Sequence, residues 1–151
     1  MQLRDRIATA LKEAMKAREA ERLSTLRLIN AAIKDRDIAL RGEGREGAGE
    51  ADLLAILGKM VKQRQESARA YEEGGRVELA EKERAEIVVI EEFLPRQLTP
   101  AEVDAAIGAA VAEVGASSIR DMGKVMAALK GRYTGQMDFG AVGPMVRDRL
   151  G

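Results

Sequence analysis

The chain has 151 residues, a length that suits one ordinary domain or two small ones with modest cores. It contains neither cysteine nor histidine, which excludes disulfides, thiolate chemistry, zinc–thiolate sites and every catalytic arrangement that needs an imidazole. The formal net charge is zero, but Lys and Arg outnumber Asp and Glu by 11 to 8 in residues 1–49, are outnumbered by 8 to 11 in residues 50–99, and balance at 6 and 6 in residues 100–151. Only local patches can therefore attract nucleic acid.

Aromatic residues make up only 3 % of the chain, so its core must consist of aliphatic side chains, which favours helices packed on helices. No window of 18 residues lacks charge, and the first residues do not resemble a signal peptide. We expect a cytoplasmic all-α protein without a membrane segment, a metal or a cofactor. Six methionines are interpreted as core filler: Met15, Met60, Met122, Met126, Met137 and Met145.

Residues 2–20 and 22–41 both place apolar side chains at helical spacing, which predicts two helices. Ser24 or Thr25 is predicted to cap the second helix; the alternative is one long bent helix. Residues 42–49 contain four glycines and predict a mobile connector. A phosphate-cradling role is disfavoured there, because the Gly-Lys-Ser/Thr ending of a P-loop is missing.

A third helix is predicted from about 50 to 73, ended by Gly74-Gly75, and a fourth from about 76 to 92. The β-branched run Ile87-Val88-Val89-Ile90 is compatible with a strand, but its Glu/Lys/Ala-rich surroundings favour a helix that is buried on several sides. The many carboxylates of this region stand among Lys and Arg, so we interpret them as a solvated surface and not as a catalytic or Mg²⁺ site.

The segment around Pro95 is predicted to separate two regions, because a residue that precedes proline is biased away from helix. The following Thr99-Pro100-Ala101-Glu102 combines an N-cap, a proline at the first helical position and a capping box. We therefore predict an N-terminal antiparallel bundle of about four helices in residues 1–94. Residues 95–151 are predicted to form a compact three-helix module.

In this module Gly115 is predicted to end one helix, and Ser117 or Ser118 to cap the next, with Asp121 in its first turns. The last helix is predicted to start near Asp138, which leaves Pro144 either in the first turn of a later start or at a kink. Five side chains of the middle helix are predicted to face inward: Ile119, Met122, Val125, Met126 and Leu129.

Two stretches, Phe93 to Glu102 and Asp121-Met122-Gly123-Lys124-Val125-Met126, together with Gly131, resemble the GatB/YqeY family on its YqeY side. Arg4-Asp5 and Leu23-Ser24-Thr25-Leu26-Arg27, with Lys12 and Arg18, extend the resemblance over essentially the whole chain.

The C-terminal half further resembles the tail domain of the B subunit of glutamine-dependent tRNA amidotransferases. There a Gly-x-Val-Met unit precedes a Lys-Gly-Lys/Arg turn; here these positions are Gly123, Val125, Met126 and Lys130-Gly131-Arg132. The longer connection Tyr133 to Met137 departs from that pattern. The motif and packing residues implied by the resemblance are Pro95, Asp121, Gly123, Val125, Met126 and Gly131.

The resemblance implies a link to tRNA or to a complex that amidates aminoacyl-tRNA, but it carries no catalytic residue across. We expect Lys124, Lys130 and Arg132 to contact tRNA phosphates and Tyr133 to stack on a base. The competing structural interpretation is that Lys130 and Arg132 simply favour a helix C-terminus. Gly123, predicted in mid-helix, costs roughly 1 kcal/mol relative to Ala. We expect another backbone to pack close against it; the alternative is a ligand.

The predicted function is that of a tRNA-associated accessory protein that binds through its C-terminal module. One alternative is a carbon–nitrogen ligase activity with glutamine as amide donor, exerted together with partner subunits. No ATP-binding loop and no Gly/Ser-rich amidase segment supports an independent enzyme. The other alternative is a protein–protein adaptor without a nucleic-acid role, which the zero net charge favours.

Overall fold

The computed structural model describes residues 2–151, which form α-helices and one short 3-10 helix and contain no strand. The prediction of an all-α protein is confirmed. Two compact units, Met1–Leu94 (unit 1) and Pro95–Gly151 (unit 2), each enclose a core of their own. The helices are α1 Leu3–Ala17, α2 Ala20–Gly42, α3 Glu50–Glu73 and α4 Val77–Glu91 in unit 1, and α5 Pro100–Val114, α6 Met122–Tyr133 and α7 Phe139–Leu150 in unit 2, with the 3-10 helix Ile119–Asp121 before α6.

The core of unit 1 is aliphatic, as the shortage of aromatic residues requires. Phe93 is the single ring in it among the described residues. The partly buried pair Arg64–Glu86, with Nε 2.9 Å from the carboxylate, links α3 to α4 beside this core. The buried side chains are Leu3, Ile7, Ala10, Ala14, Leu26, Ile29, Ile33, Leu53, Leu57, Met60, Val61, Ile87, Ile90 and Phe93.

The junction of α1 and α2 differs from both predictions made for it. Arg18 adopts a left-handed conformation with φ 56°, and its N–H bonds back to the end of α1, so the two segments are separate helices and not one bent helix. The N-cap of α2 is Glu19, which places Ser24 and Thr25 inside the helix. The capping role predicted for these two residues was wrong, because the left-handed turn starts the helix one turn earlier.

The glycine-rich segment between α2 and α3 is a loop, as predicted, and several hydrogen bonds tie it down. Asp37 of α2, only 7 % exposed, accepts two hydrogen bonds from the guanidinium of Arg4 at 2.9 and 3.0 Å. It also accepts the N–H of Ala48 at 2.8 Å, while Arg4 donates to the carbonyl of Ala48 at 3.0 Å. Gly47 has φ +140°, and a Cβ there would lie 3.1 Å from the Asp37 carboxylate. The mobility expected of this loop stays a prediction.

The end of α4 corrects another expectation. Ile87 and Ile90 are buried, but Val88 is 65 % exposed, so the β-branched run is helical as predicted and yet is not buried on several sides. Two arginines bind the residues that follow the helix. Arg6 donates to the carbonyl of Glu92 at 3.1 Å and lies 5.7 Å from the centre of the Phe93 ring, and Arg22 bonds the Glu92 carboxylate.

Unit 2 begins with the capped helix that the sequence predicts. The hydroxyl of Thr99 accepts the N–H of Glu102 at 3.2 Å, and the Glu102 carboxylate accepts the N–H of Thr99 at 3.0 Å. Gly115 ends α5 with φ 67°. The core combines Ala106, Ile107, Ala110, Val125, Leu129, Met137, Val142 and Val146.

The segment before α5 is held by the turn between α6 and α7. Leu98 N–H donates to the carbonyl of Gln136 at 2.9 Å, and the Gln136 side chain donates to the carbonyl of Arg96 at 3.1 Å. The Gln97 side chain adds a bond to the carbonyl of Gly135. The connection from Tyr133 to Met137 therefore has a structural role that the sequence pattern did not indicate.

Several predictions about burial and helix starts in unit 2 need correction. Ile119 is 51 % exposed and does not face inward, because it precedes α6 in the 3-10 helix. Met145, and Met15 of unit 1, are 49 % and 50 % exposed and are not core filler. Asp138 is the N-cap of α7, as predicted, and accepts the N–H of Gly140 at 3.0 Å. Pro144 lies inside α7, so the alternative of a later helix start was wrong.

Candidate nucleic-acid interface

Helix α6 carries the residues predicted to bind nucleic acid, and its start is fixed by Asp121. The Asp121 carboxylate accepts the backbone N–H groups of Ser117 at 3.0 Å and Ser118 at 3.3 Å. These two bonds lower the pKa of Asp121, and the nearby charge of Lys124 lowers it further. A stable carboxylate at this position ties the loop after α5 to the first turn of α6.

The inner face of α6 anchors it to the core of unit 2. Val125 and Leu129, four residues apart, are buried at 0 % and 1 % exposure. Met122 and Met126 are partly buried and pack against the same core. The predicted inward positions of these four side chains are confirmed. Since one face of α6 is held in this way, the orientation of its opposite face is fixed as well.

The opposite face of α6 is exposed and carries cations and glycines. Lys124 and Lys130 are both exposed, and neither forms an ion pair within residues 2–151. At about 100° per residue, the two lysines lie about 120° apart around the helix axis, with Gly123 and Gly131 on the surface between and beside them. We call Gly123, Lys124, Lys130 and Gly131 the α6 face.

The two glycines of the α6 face have no neighbour. A Cβ built on Gly123 or Gly131 would meet no atom within 4 Å outside the helix itself. Gly123 is the second residue of α6 and not a mid-helix residue, and the backbone packing expected beside it is absent. That expectation was wrong, because the side of α6 that carries Gly123 faces away from α5 and α7.

Arg132 and Tyr133 are less available than the two lysines. Arg132 is 52 % exposed but forms an ion pair with Glu113 of α5 at 2.5 Å. Tyr133 is partly buried and packs against the core of unit 2. The hydroxyl of Thr134 donates to the carbonyl of Lys130 and closes the last turn of the helix. Of the four predicted contact residues, Lys124 and Lys130 are therefore the two whose charged groups stand free of an ion pair.

One glycine of unit 2, Gly108, does lie against another side chain, and this contact was not recognised from the sequence. Arg149 of α7 forms an ion pair with Asp104 of α5 at 2.7 Å, and its guanidinium crosses Gly108. A Cβ on Gly108 would lie 2.6 Å from the Arg149 Nη1 atom. The i, i+4 spacing of Asp104 and Gly108 puts both on one helix face, but only the tertiary structure shows which cation covers them.

Two further features are absent from the described residues. Within residues 2–151 no group of three or more Asp or Glu side chains is arranged to hold a metal ion. No helix in this range combines the length and the apolar character that crossing a membrane requires.

Comparison with known proteins gives relatives in yeasts. "Altered inheritance of mitochondria protein 41, mitochondrial" of Saccharomyces cerevisiae (strain YJM789) is 30 % identical over 94 residues, which are 62 % of this chain and 49 % of the relative. The protein of the same name from Clavispora lusitaniae is 37 % identical over 86 residues, 56 % of this chain and 46 % of the relative. That from Lachancea thermotolerans is 29 % identical over 106 residues, 69 % and 55 % respectively.

The chain spans about half the length of these relatives. Their shared name refers to the inheritance of mitochondria and to no binding or catalytic activity. The family match is more extensive, since residues 4–150 match the family described as Yqey-like protein. This range includes all seven helices except the first residue of α1. The resemblance to the YqeY side of the GatB/YqeY family is thereby confirmed, and the chain belongs to the Yqey-like protein family.

Proposed function

We propose that this protein is an RNA-binding accessory protein that engages tRNA through the α6 face. One observation carries the proposal: two lysines without ion pairs stand beside two glycines that nothing covers. Lysine ammonium groups are general phosphate ligands, and a glycine lets a partner's backbone approach the helix closely. The combination suits a phosphate backbone that lies across α6.

The glycines have a cost that no contact in unit 2 offsets. A glycine in a helix interior is less favourable than alanine by roughly 0.8–1 kcal/mol, and this is an upper value for Gly123 and Gly131, which lie in the first and last turns of α6. Close packing of another helix would explain such residues, but a Cβ on Gly123 or Gly131 would meet nothing within 4 Å. Since no helix packs against these glycines, we attribute them to the close approach of a ligand.

The expected affinity is modest and depends on salt. Lys124, Lys130 and Arg132 supply three phosphate contacts at most, and Arg132 must exchange its pair with Glu113 for one of them. Each contact adds roughly 0.7–0.9 to the slope of log K against log salt concentration. A slope of roughly two to three suits a protein that acts beside a larger tRNA-binding complex, and not a specific binder on its own.

The first experiment is a titration of labelled tRNA by fluorescence anisotropy over roughly 50–300 mM salt, a range in which such contacts weaken strongly. A duplex RNA of equal length serves as the control ligand. We expect saturable binding that favours tRNA and weakens with salt. The absence of binding at the lowest salt concentration would overturn the proposal.

A double variant localises the binding. Lys124→Ala with Lys130→Ala should weaken tRNA binding and reduce the salt slope by roughly 1.4–1.8. Arg69→Ala with Lys82→Ala is the matched control: it removes the same charge from exposed positions of α3 and α4. If both double variants lose affinity equally, the effect is one of net charge and the α6 face is not the site.

A glycine substitution separates binding from folding. Gly123→Ala should raise the stability of unit 2 by at most roughly 0.5–1 kcal/mol, the value for a mid-helix site, because the position is open and φ is not positive. It should at the same time weaken tRNA binding. Gly58→Ala in α3, also in open space, should stabilise unit 1 without changing the affinity. Unchanged tRNA affinity of the Gly123→Ala protein would remove the role assigned to this glycine.

Two further candidate functions are retained with narrower support. A protein–protein adaptor is favoured by the exposed side chains of Ile119 and Met145 in unit 2 and by the zero net charge. If the tRNA titration shows no binding, this becomes the preferred function. A carbon–nitrogen ligase role with glutamine as amide donor would need partner subunits, because the chain has neither cysteine nor histidine. Added glutamine-dependent amidation of aminoacyl-tRNA in a reconstituted mixture would reveal it.

The cytoplasm is the proposed location, although the yeast relatives are named as mitochondrial. Cell fractionation with an antibody against this chain is the check. Recovery in an organelle fraction would overturn it.

A further inference from the structure

Helix α2 of unit 1 carries a row of three exposed cations. Arg27, Lys34 and Arg41 recur every seven residues, so they follow one line along the helix with a drift of about 20° per step. All three are exposed. At 1.5 Å per residue they lie about 10.5 Å apart and extend over about 21 Å. We call these three residues the α2 row.

The row has no internal carboxylate partner. Arg27 and Lys34 form no ion pair within residues 2–151. Some other arginines of unit 1 do pair with a carboxylate, as Arg64 does with Glu86. Asp35 follows Lys34 in sequence but lies about 100° away around the axis. The row is therefore a local excess of positive charge, in the part of the chain where Lys and Arg outnumber Asp and Glu by 11 to 8.

Arg41 is fixed at one end of the row. Its Nε donates to the carbonyl of Glu46 in the glycine-rich loop at 3.2 Å, which leaves the terminal nitrogens for other partners. The carboxylate of Asp37, one turn earlier in α2, is already bonded by Arg4 and by the N–H of Ala48. The charge of Arg41 helps to lower the pKa of Asp37 but does not form a bond to it.

One small side chain lies between the first two cations. Ala31 is exposed and stands one turn from both Arg27 and Lys34 on the same side of α2, and the exposed Ser24 lies one turn before Arg27. Ala31 lets a rigid backbone approach between these two charges. Ile38, 67 % exposed, lies between Lys34 and Arg41 and is the one large apolar side chain along this line. Three cations along one line are complementary to a chain of phosphates, whereas an apolar partner would find a single anchor.

We propose that the α2 row is a phosphate-binding surface for RNA, additional to the α6 face. This inference rests on the proposed function, because it assigns further contacts to the same class of ligand. The row by itself offers up to three phosphate contacts, which correspond to a salt slope of roughly two to three.

The test compares salt slopes of tRNA binding for the full chain. Arg27→Ala with Lys34→Ala should reduce the slope by roughly 1.4–1.8, and addition of Arg41→Ala by up to roughly 2.7 in all. The double variant leaves the Arg41–Glu46 bond intact, so it is informative even if the triple variant loosens the loop. The triple Arg69→Ala, Arg76→Ala, Lys82→Ala has the same change of charge at exposed sites and should keep a steeper slope.

The outcomes separate this inference from the proposed function. A wild-type slope retained by the α2 variants, with loss of binding in the Lys124→Ala, Lys130→Ala protein, would overturn the α2 row alone. A reduced slope in the α2 variants, with unchanged binding by the Lys124→Ala, Lys130→Ala protein, would support the α2 row and show that the α6 face is not the binding site. Polyglutamate serves as a probe for an acidic protein partner. If the α2 variants keep their tRNA binding but lose affinity for polyglutamate, the row binds an acidic protein and the inference is overturned.

Discussion

The two units contain the same pair of groups in opposite settings. In unit 1, Arg4 and Asp37 are 33 residues apart and bond through two nitrogens beside a buried loop contact. In unit 2, Arg96 and Glu102 are six residues apart and bond through two nitrogens on the exposed start of α5. Both carboxyls have a pKa of about 2, caused first by the guanidinium hydrogen bonds and next by a backbone N–H.

The comparison teaches that a lowered pKa does not measure how much structure depends on a carboxylate. Asp37 joins α1, α2 and the loop before α3, so its loss releases three parts of unit 1. Glu102 completes the first turn of a helix whose hydroxyl cap Thr99 stays in place without it. Burial and sequence separation, and not the size of the shift, distinguish a tertiary contact from a local one.

The largest effects should come from the cores. Leu57→Ala in unit 1 and Leu129→Ala in unit 2 each remove a side chain with at most 1 % exposure, at a cost of roughly 2–5 kcal/mol. Because the two units enclose separate cores, each substitution should lower amide hydrogen-exchange protection in its own unit. Equal loss of protection in both units after either substitution would show that they unfold together.

The carboxylates should give the next largest difference. Asp37→Asn should lower the melting temperature at neutral pH more than Glu102→Gln does, since Asn cannot accept both Arg4 bonds and a charge remains without its partner. Asp35→Asn and Asp148→Asn, at exposed positions of α2 and α7, are the matched controls. Thermal unfolding followed by circular dichroism measures all four, and an equal effect of Asp37→Asn and Asp35→Asn would contradict the expectation.

The pH dependence of the same proteins has a defined sign. The folded pKa of Asp37 is about 2 against an ordinary value of 3.8, so the ionised carboxylate stabilises the fold above about pH 4. This contribution is lost as pH falls from about 4 to about 2. The melting temperatures of the wild type and the Asp37→Asn protein should therefore converge towards pH 2. A constant difference down to pH 2 would mean that Asp37 acts through packing and not through its charge.

Local features of the fold could be predicted from the sequence, because neighbouring residues determine them. The bounds of α3, the capping box at Thr99, the left-handed end of α5 at Gly115 and the N-cap Asp138 all follow from a few adjacent residues. Arg18 is the exception, since a non-glycine residue in the left-handed region gives no compositional sign of a helix end.

Features that depend on the tertiary packing of one helix against another could not be predicted from the sequence. Hydrophobic periodicity identified the inner face of α6 but not that the side chains of Ile119, Met15 and Met145 are about half exposed. Lys124, which is not among the side chains predicted to face inward, is exposed. The absence of a neighbour at Gly123 and the ion pair of Arg132 depend on the position of α5, which no local pattern contains.

The smallest effect sharpens the comparison at two helix ends of the same geometry. Arg18 after α1 has φ 56° and Gly115 after α5 has φ 67°, so the left-handed position is held by arginine in unit 1 and by glycine in unit 2. An L-residue in this region costs roughly 1–2 kcal/mol, whereas glycine enters it freely. Arg18→Gly should therefore stabilise unit 1 by up to roughly 1 kcal/mol, since part of the gain is offset by the greater freedom of glycine in the unfolded chain.

Gly115→Ala should destabilise unit 2 by roughly 1 kcal/mol, and because a Cβ there meets nothing within 4 Å, the cost is one of backbone conformation alone. Urea unfolding followed by circular dichroism measures both. A loss of stability in Arg18→Gly would show that the arginine side chain contributes more than its backbone conformation costs.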